Sequence, residues 1–344
     1  MSRPTLLLLT FLFAPMGEEH DLVLEHRTRQ VRLTAWKTQF SKELKAQTNR
    51  MGDKEVSGAW QGSIRFAVSG RGIFLEGTQK MEDAERQVFD RRYTALEFKA
   101  ATWTLDGETV NREDCTGDSE LNDLTVRFTR GEDGFVAGFP KEENADDELL
   151  DGLQTEFPWT AYLPDGPVEV GDEWDIDAQV LEAALDLGLD LPVEFDSNDG
   201  DKVWLRSRQQ GHADIQGEVK ATLKEIEEVD GHSLAAIALE VELEILEDAT
   251  DRHREQLMLP DTGSQRSELN SCESKRVMEG GGLLVWDLTD NCPGRLLLQL
   301  TATETETIQI TEYDDGQEQE LEVIRSYACK RRHDLLIEAR EPGD

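Results

Sequence analysis

The stretch ADIQGEVKATLKEIEEVDGHSLAAIALEVELEI, Ala213 to Ile245, decides the fold class. Ala213, Ile215, Val219, Ala221 and Leu223 share one parity, while Asp214, Gln216, Glu218, Lys220 and Lys224 share the other. A period of two belongs to a β-strand, whose successive side chains leave by opposite faces. Asp230-Gly231 is the dipeptide of a two-residue hairpin turn. Beyond it, Ile237, Leu239, Val241, Leu243 and Ile245 resume the apolar parity against Glu240, Glu242 and Glu244. One face is apolar and the other wetted, as an antiparallel sheet allows.

The same alternation recurs on both sides. Downstream, Leu296, Leu298, Leu300, Ile308 and Ile310 oppose Gln299, Thr301, Thr303, Thr305 and Thr307, and Asp315-Gly316 turns the chain into Leu321–Ile324. Upstream, Trp60, Ile64, Phe66 and Val68 alternate with Gln61, Ser63 and Arg65, and Ser69-Gly70-Arg71-Gly72 reads as a turn into Ile73–Glu76. Leu124, Val126 and Phe128 alternate with Thr125, Arg127 and Thr129 before a turn at Gly131-Glu132-Asp133-Gly134. The expected fold is mainly β: long antiparallel hairpins forming a curved sheet or an incomplete barrel. One short helix is expected over Ala178–Leu187, with Asp177 as N-cap and Gly188 as the stop. Residues 260–281 read as a loop, because Pro260, Gly263, several serines and Gly280-Gly281-Gly282 fall there. The acidic stretch Lys141–Gly152 suits a seam between two lobes, 18–150 and 151–344.

Residues 1–17 read as a signal peptide: Arg3 supplies the positive start, and TLLLLTFLFA, Thr5 to Ala14, is an apolar run too short to span a bilayer. An exported protein in the periplasm, at the cell surface or outside the cell is expected, with no transmembrane segment in the mature chain. Four cysteines, Cys115, Cys272, Cys292 and Cys329, allow two disulfides in such a compartment, Cys272 with Cys292 being the preferred pair. The formal charge of -37 repels nucleic acid and anionic membranes. With 38% hydrophobic residues, seven of them tryptophan among the aromatics, in a regular pattern, the chain is not a disordered polyanion.

Within Leu163–Trp174, LPDGPVEVGDEW, the run Val168-Glu169-Val170-Gly171-Asp172-Glu173-Trp174 follows two prolines. It resembles the P-x-x-V-x-V-G-D-x-W box of uncharacterised secreted bacterial β-rich proteins. That resemblance implies a helix and further hairpins after the box, and no reaction. Physically, the prolines extend the approach, Gly171-Asp172 turns the chain, and Trp174 plugs into a core.

No catalytic, metal or cofactor residue set emerges. Asp261-Thr262-Gly263-Ser264 matches half of an aspartic-protease dyad and has no second copy. Asp196-Ser197-Asn198-Asp199-Gly200-Asp201 lacks the glycine and glutamate positions of an EF-hand. The six histidines form no H-x-H or H-E-x-x-H pair. Lys330-Arg331-Arg332-His333 is the one basic cluster and reads as an internal salt-bridging patch. The expected function is a non-enzymatic exported binding or structural module of the cell envelope, whose apolar face suits a lipid-like small molecule. The alternatives are a secreted hydrolase using a carboxylate pair and a calcium-dependent surface protein.

Overall fold

The computed structural model describes residues 20–22, 31–56, 63–79, 88–106, 109–131, 134–141, 145–150, 153, 159–181, 191–196, 202–205, 213–250, 265–314 and 317–340. The signal segment, Trp60, Asp261-Thr262-Gly263-Ser264, residues 197–201 of the acidic stretch and the turn at Asp315-Gly316 lie outside them.

The strands are β1 (Val31–Met51), β2 (Lys54–Val56), β3 (Ser63–Gln79), β4 (Val88–Asp106), β5 (Thr109–Asp118), β6 (Thr125–Gly131), β7 (Gly134–Gly138), β8 (Glu173–Ile176), β9 (Val193–Asp196), β10 (Lys202–Leu205), β11 (Asp214–Val229), β12 (His232–Asp248), β13 (Gln265–Asp287), β14 (Cys292–Asp314) and β15 (Gln317–Arg340). All belong to one antiparallel sheet. Its main order is β10-β9-β5-β4-β3-β1-β15-β14-β13-β12-β11-β8, with β2 beside β1 and the β6-β7 hairpin beside β4. The sheet is open, with β10 and β8 at its ends. The longest strand, β15, has 24 residues, or roughly 80 Å of extended chain at ~3.3 Å per residue.

The hairpin that decided the fold is β11-β12. Val229 pairs with His232 across Asp230 and Gly231, whose φ angles of 53° and 87° make the turn. Val219, Ala221, Leu223, Ile237, Leu239 and Val241 are buried, as their parity requires. A single sheet buries a face only by curling round it or by covering it. The covering comes from the segment between β5 and β9: Leu121, Leu149, Leu153, Trp159, Tyr162, Leu181 and Leu191 join the same core as Trp36, Phe98, Leu284 and Leu296. The helix starts where expected, at 178–181, with the carboxylate of Asp177 accepting the Gln179 N–H at 2.9 Å. Residues 182–190 lie outside the described set. In the box, Glu169–Asp172 makes a tight turn (Asp172 N to Glu169 O, 3.0 Å), and the Trp174 indole N–H donates to the Tyr162 carbonyl at 3.0 Å.

Three expectations fail, each for a physical reason. Ser69–Gly72 is not a turn: β3 runs straight through it. The glycines are there for clearance, since a Cβ on Gly70 would stand 2.9 Å from the Phe98 ring and one on Gly72 2.9 Å from the Trp36 ring. Residues 265–281 are not loop but the body of β13. There the glycines let β13 press against both neighbours, as a Cβ on Gly280 or Gly282 would collide with carbonyls of β14 and one on Gly281 with a carbonyl of β12. Finally, no disulfide joins the four cysteines. Cys272 stands opposite Ile308 and Cys292 opposite Asp287. They lie far apart along one hairpin, roughly 50 Å by strand rise, well beyond the reach of a disulfide. Thiol titration of the unfolded chain without reductant will therefore count four thiols, and reductant will leave its urea midpoint unchanged. A count of two would contradict the structure.

Candidate functional site

The inner face of β1, β13, β14 and β15 changes character along its length. At one end Trp36, Leu284, Leu296 and Leu335 are apolar core. At the other, Ala249, Leu269, Cys272, Ile308 and Val323 form a second apolar cluster. Between them lies a buried charged belt. Glu304 and Glu306, two apart on β14, are each 2% exposed. Lys42 of β1 reaches both, at 3.2 and 2.6 Å. Ser274 donates to Glu304 at 3.0 Å, Arg276 stands 3.6 Å from it, and the Lys42 ammonium lies 4.0 Å from the centre of the Tyr327 ring. Burial pushes Glu304 up, but the charges of Lys42 and Arg276, with hydrogen bonds from Lys42 and Ser274, overcome it and hold the carboxyl at about 2. Burial, with the charge of Glu304, pushes the neighbouring Cys329 thiol up to about 12. A carboxylate held that low has no proton to give at neutral pH, so Glu304 does not supply the general acid that a glycosidase requires.

The outer face carries an open trough of about 750 Å³ crossing β14, β15, β1, β3, β4 and β5. Register builds it. One row across the sheet is Gln299, Arg332, Gln39, Ser69 and Lys99. The next is Thr301, Lys330, Ser41, Ala67, Ala101 and Asp114. Small side chains in the middle, Ser41, Ala67, Ser69 and Ala101, form the floor, and longer ones stand at its edges. At the β5 end Trp103 is held between two guanidinium groups, Arg65 at 4.5 Å and Arg112 at 5.0 Å from its ring. Arg112 also pairs with Asp114 at 2.7 Å.

Lys99, Lys330 and Arg332 are exposed. Among the described residues, none of the three lies within ion-pair distance of a carboxylate. The contrast with the adjoining hollow of about 560 Å³ is informative, because there Arg71 pairs with Glu97 and Arg295 with Asp334. The field of the trough is felt nearby: Glu43 is held below the usual carboxylate range by its hydrogen bond from Lys45, with smaller contributions from Arg65 and Lys330. The basic run Lys330-Arg331-Arg332-His333 is divided between the two faces of β15. Strand alternation sends Lys330 and Arg332 outward, while Arg331 lies 5.2 Å from the Phe40 ring and His333 is buried 3.5 Å from Thr38. The apolar face expected to hold a lipid-like molecule is filled by the chain's own Leu121, Tyr162, Leu181, Trp286 and Leu298.

No family model matches the chain, and no curated protein matches it. Among solved structures, an outer membrane channel from Pseudomonas putida F1 aligns with 94% of this chain and 100% of its own, at 8% identity and a TM-score of 0.14. A likeness of that size carries no argument about fold or function. No helix among the described residues is long and apolar enough to cross a membrane.

Proposed function

We propose that this chain is an exported, non-enzymatic binding module of the cell envelope, whose outer trough takes an acidic polysaccharide. One observation carries the reading: in a chain of formal charge -37, three exposed cations that form no close ion pair with a carboxylate among the described residues converge on one groove. Six strands about 4.8 Å apart make the trough roughly 24 Å wide across the sheet. Lys330 and Arg332 stand about 7 Å apart along β15, and Lys99 lies three strands away from Arg332. An open, extended groove with spaced cations suits a polymer better than a small molecule. Gln39, Ser41, Ser69, Gln299 and Thr301 line it with donors and acceptors for hydroxyl groups. Nucleic acid fits less well, because the Trp103 ring already has two guanidinium groups, those of Arg65 and Arg112, within 5.0 Å of its centre, where a base would have to stack.

Fluorescent alginate oligomers are a suitable probe, with neutral dextran as the control. Binding at low salt that weakens at least tenfold in Lys330→Gln/Arg332→Gln is expected, together with a smaller dependence on salt, since fewer counterions are released. No binding of alginate, or equal binding by the double variant, overturns the reading.

A further inference from the structure

Where β11 turns into β12 and β13 into β14, donors of mixed type meet at the rim of the sheet. His232 opens β12, Asp287 closes β13, and Asp290 lies in the turn that follows. Nδ1 of His232 is 2.7 Å from Oδ2 of Asp287 and 3.8 Å from Oδ2 of Asp290. The three ligand atoms all lie within 4.8 Å of one another.

Carboxylates clustered on an acidic surface would mean nothing by themselves. This group differs because an imidazole from a separate hairpin aims the same nitrogen at both. The donors are also held in place. Asp287 is 9% exposed, and its second oxygen, Oδ1, accepts the N–H groups of Thr289 at 2.8 Å and Asp290 at 3.1 Å. The two turns are tied to each other as well, the Leu288 N–H donating to the Ser233 carbonyl at 2.8 Å and the Ser233 N–H to the Thr289 hydroxyl at 2.8 Å. Only the ligands' own side chains need adjust, by about 1 Å to 2 Å at the widest pair, to surround an ion, because donors about 2.1 Å from a metal stand roughly 3 Å to 3.5 Å from each other.

We propose that His232, Asp287 and Asp290 form a zinc site that clips the β11-β12 and β13-β14 hairpin ends together. One imidazole and two carboxylates are an N/O set that zinc accepts, whereas calcium takes oxygen ligands. Three protein ligands leave one tetrahedral position open to solvent. An ionised carboxylate only accepts, so in the free protein Nδ1–H donates to Asp287. Zinc takes the place of that hydrogen at Nδ1 and the neutral ring carries it at Nε2 instead, so the tautomer changes and no net proton is released. Protons compete with zinc for the imidazole and the carboxylates, so affinity falls as pH is lowered.

The test is calorimetric titration of the full chain with zinc chloride, with thermal melts alongside. The expected result is one ion per chain and a rise in melting temperature. His232→Gln and Asp290→Asn, which leave the turn-holding Asp287 in place, should each lose about a hundredfold in affinity while melting normally without metal. Calcium at the same concentration should raise the melting temperature no more than sodium does. No saturable binding up to about 1 mM zinc, binding retained by both variants, or an equal response to calcium overturns the proposal.

Discussion

Lys42→Met will destabilise the protein by about 3–5 kcal/mol at neutral pH, and the loss will shrink as the solution is acidified. The magnitude follows from what the substitution leaves behind. Lys42 is the cation shared by Glu304 and Glu306, whose side chains are each 3% exposed. Removing one member of a buried pair costs more than the pair contributed, because the remaining charge keeps its desolvation penalty. Here two carboxylates are stranded, with Arg276 3.6 Å from one of them. The pH dependence has a definite sign. In the wild type Glu304 sits at about 2 against 4.5 for the free group. Its contribution to stability is therefore present above about 4.5 and is lost as pH falls towards 2. In the variant the main attraction is gone while burial still favours the neutral acid. The folded-state value then rises, and the penalty is relieved as protons bind. The gap between variant and wild type in urea unfolding should be widest near pH 7 and narrower near pH 4.5. Taking the difference removes the general effect of discharging a polyanion. Adding Glu304→Gln and Glu306→Gln to Lys42→Met should recover most of the loss, and an unchanged gap across that range would show that the belt is not charged.

The alternation in Ala213–Ile245 made the sheet legible because a sheet with one wet face imposes period two on every strand. The same signal was present, unread, at the belt. In Thr301-Ala302-Thr303-Glu304-Thr305-Glu306-Thr307-Ile308, the two glutamates occupy the apolar parity set by Leu300 and Ile308. A buried charge was therefore visible on one strand, but its partner Lys42 lies 264 residues away on β1, and only pairing of β1 with β15 beside β14 brings them together. The trough was partly legible for the same reason. The basic run on β15 stood out, yet alternation divides it between two faces. Lys99, Trp103 and Arg112 carried no local signal at all, since their common position depends on the registers of β3, β4 and β5. The rim histidine was equally silent: His232 and Asp287 are separated by 55 residues. Glycine was where reading failed outright. In sequence Gly-x-Gly and Gly-Gly-Gly signal turns, while in this sheet they mark crowding that only a missing Cβ resolves.

Gly280→Val is the substitution that tests this reading of glycine, and it should abolish the folded state or cost more than about 4 kcal/mol. Two independent faults arise at once. Gly280 has φ 150°, which side-chain-bearing residues rarely adopt. A Cβ there would also overlap the Gln299 carbonyl oxygen and stand 3.0 Å from the Leu300 Cα. Neither obstacle is a side chain that can rotate away, because both belong to the backbone of β14. Relief would require β13 to move off β14 in the middle of their shared ladder, breaking hydrogen bonds in two of the longest strands. The direction of the missing Cβ matters too. On Gly280 and Gly282 it would point at carbonyls of β14, and on Gly281 at one of β12. Cβ atoms that lie along the sheet rather than above and below it mean that β13 is rolled about its own axis here. A small hollow lined by Glu240 and Glu242 of β12 and Glu279 of β13 lies beside Gly280. Glu279→Val, one residue earlier and exposed, is the control and should change stability by less than about 1 kcal/mol. If both variants unfold at the same urea concentration as the wild type, β13 is not rolled and its glycines have no role in shaping the sheet. If Gly280→Ala is already strongly destabilised while Glu279→Val is not, the backbone contact rather than side-chain bulk is responsible.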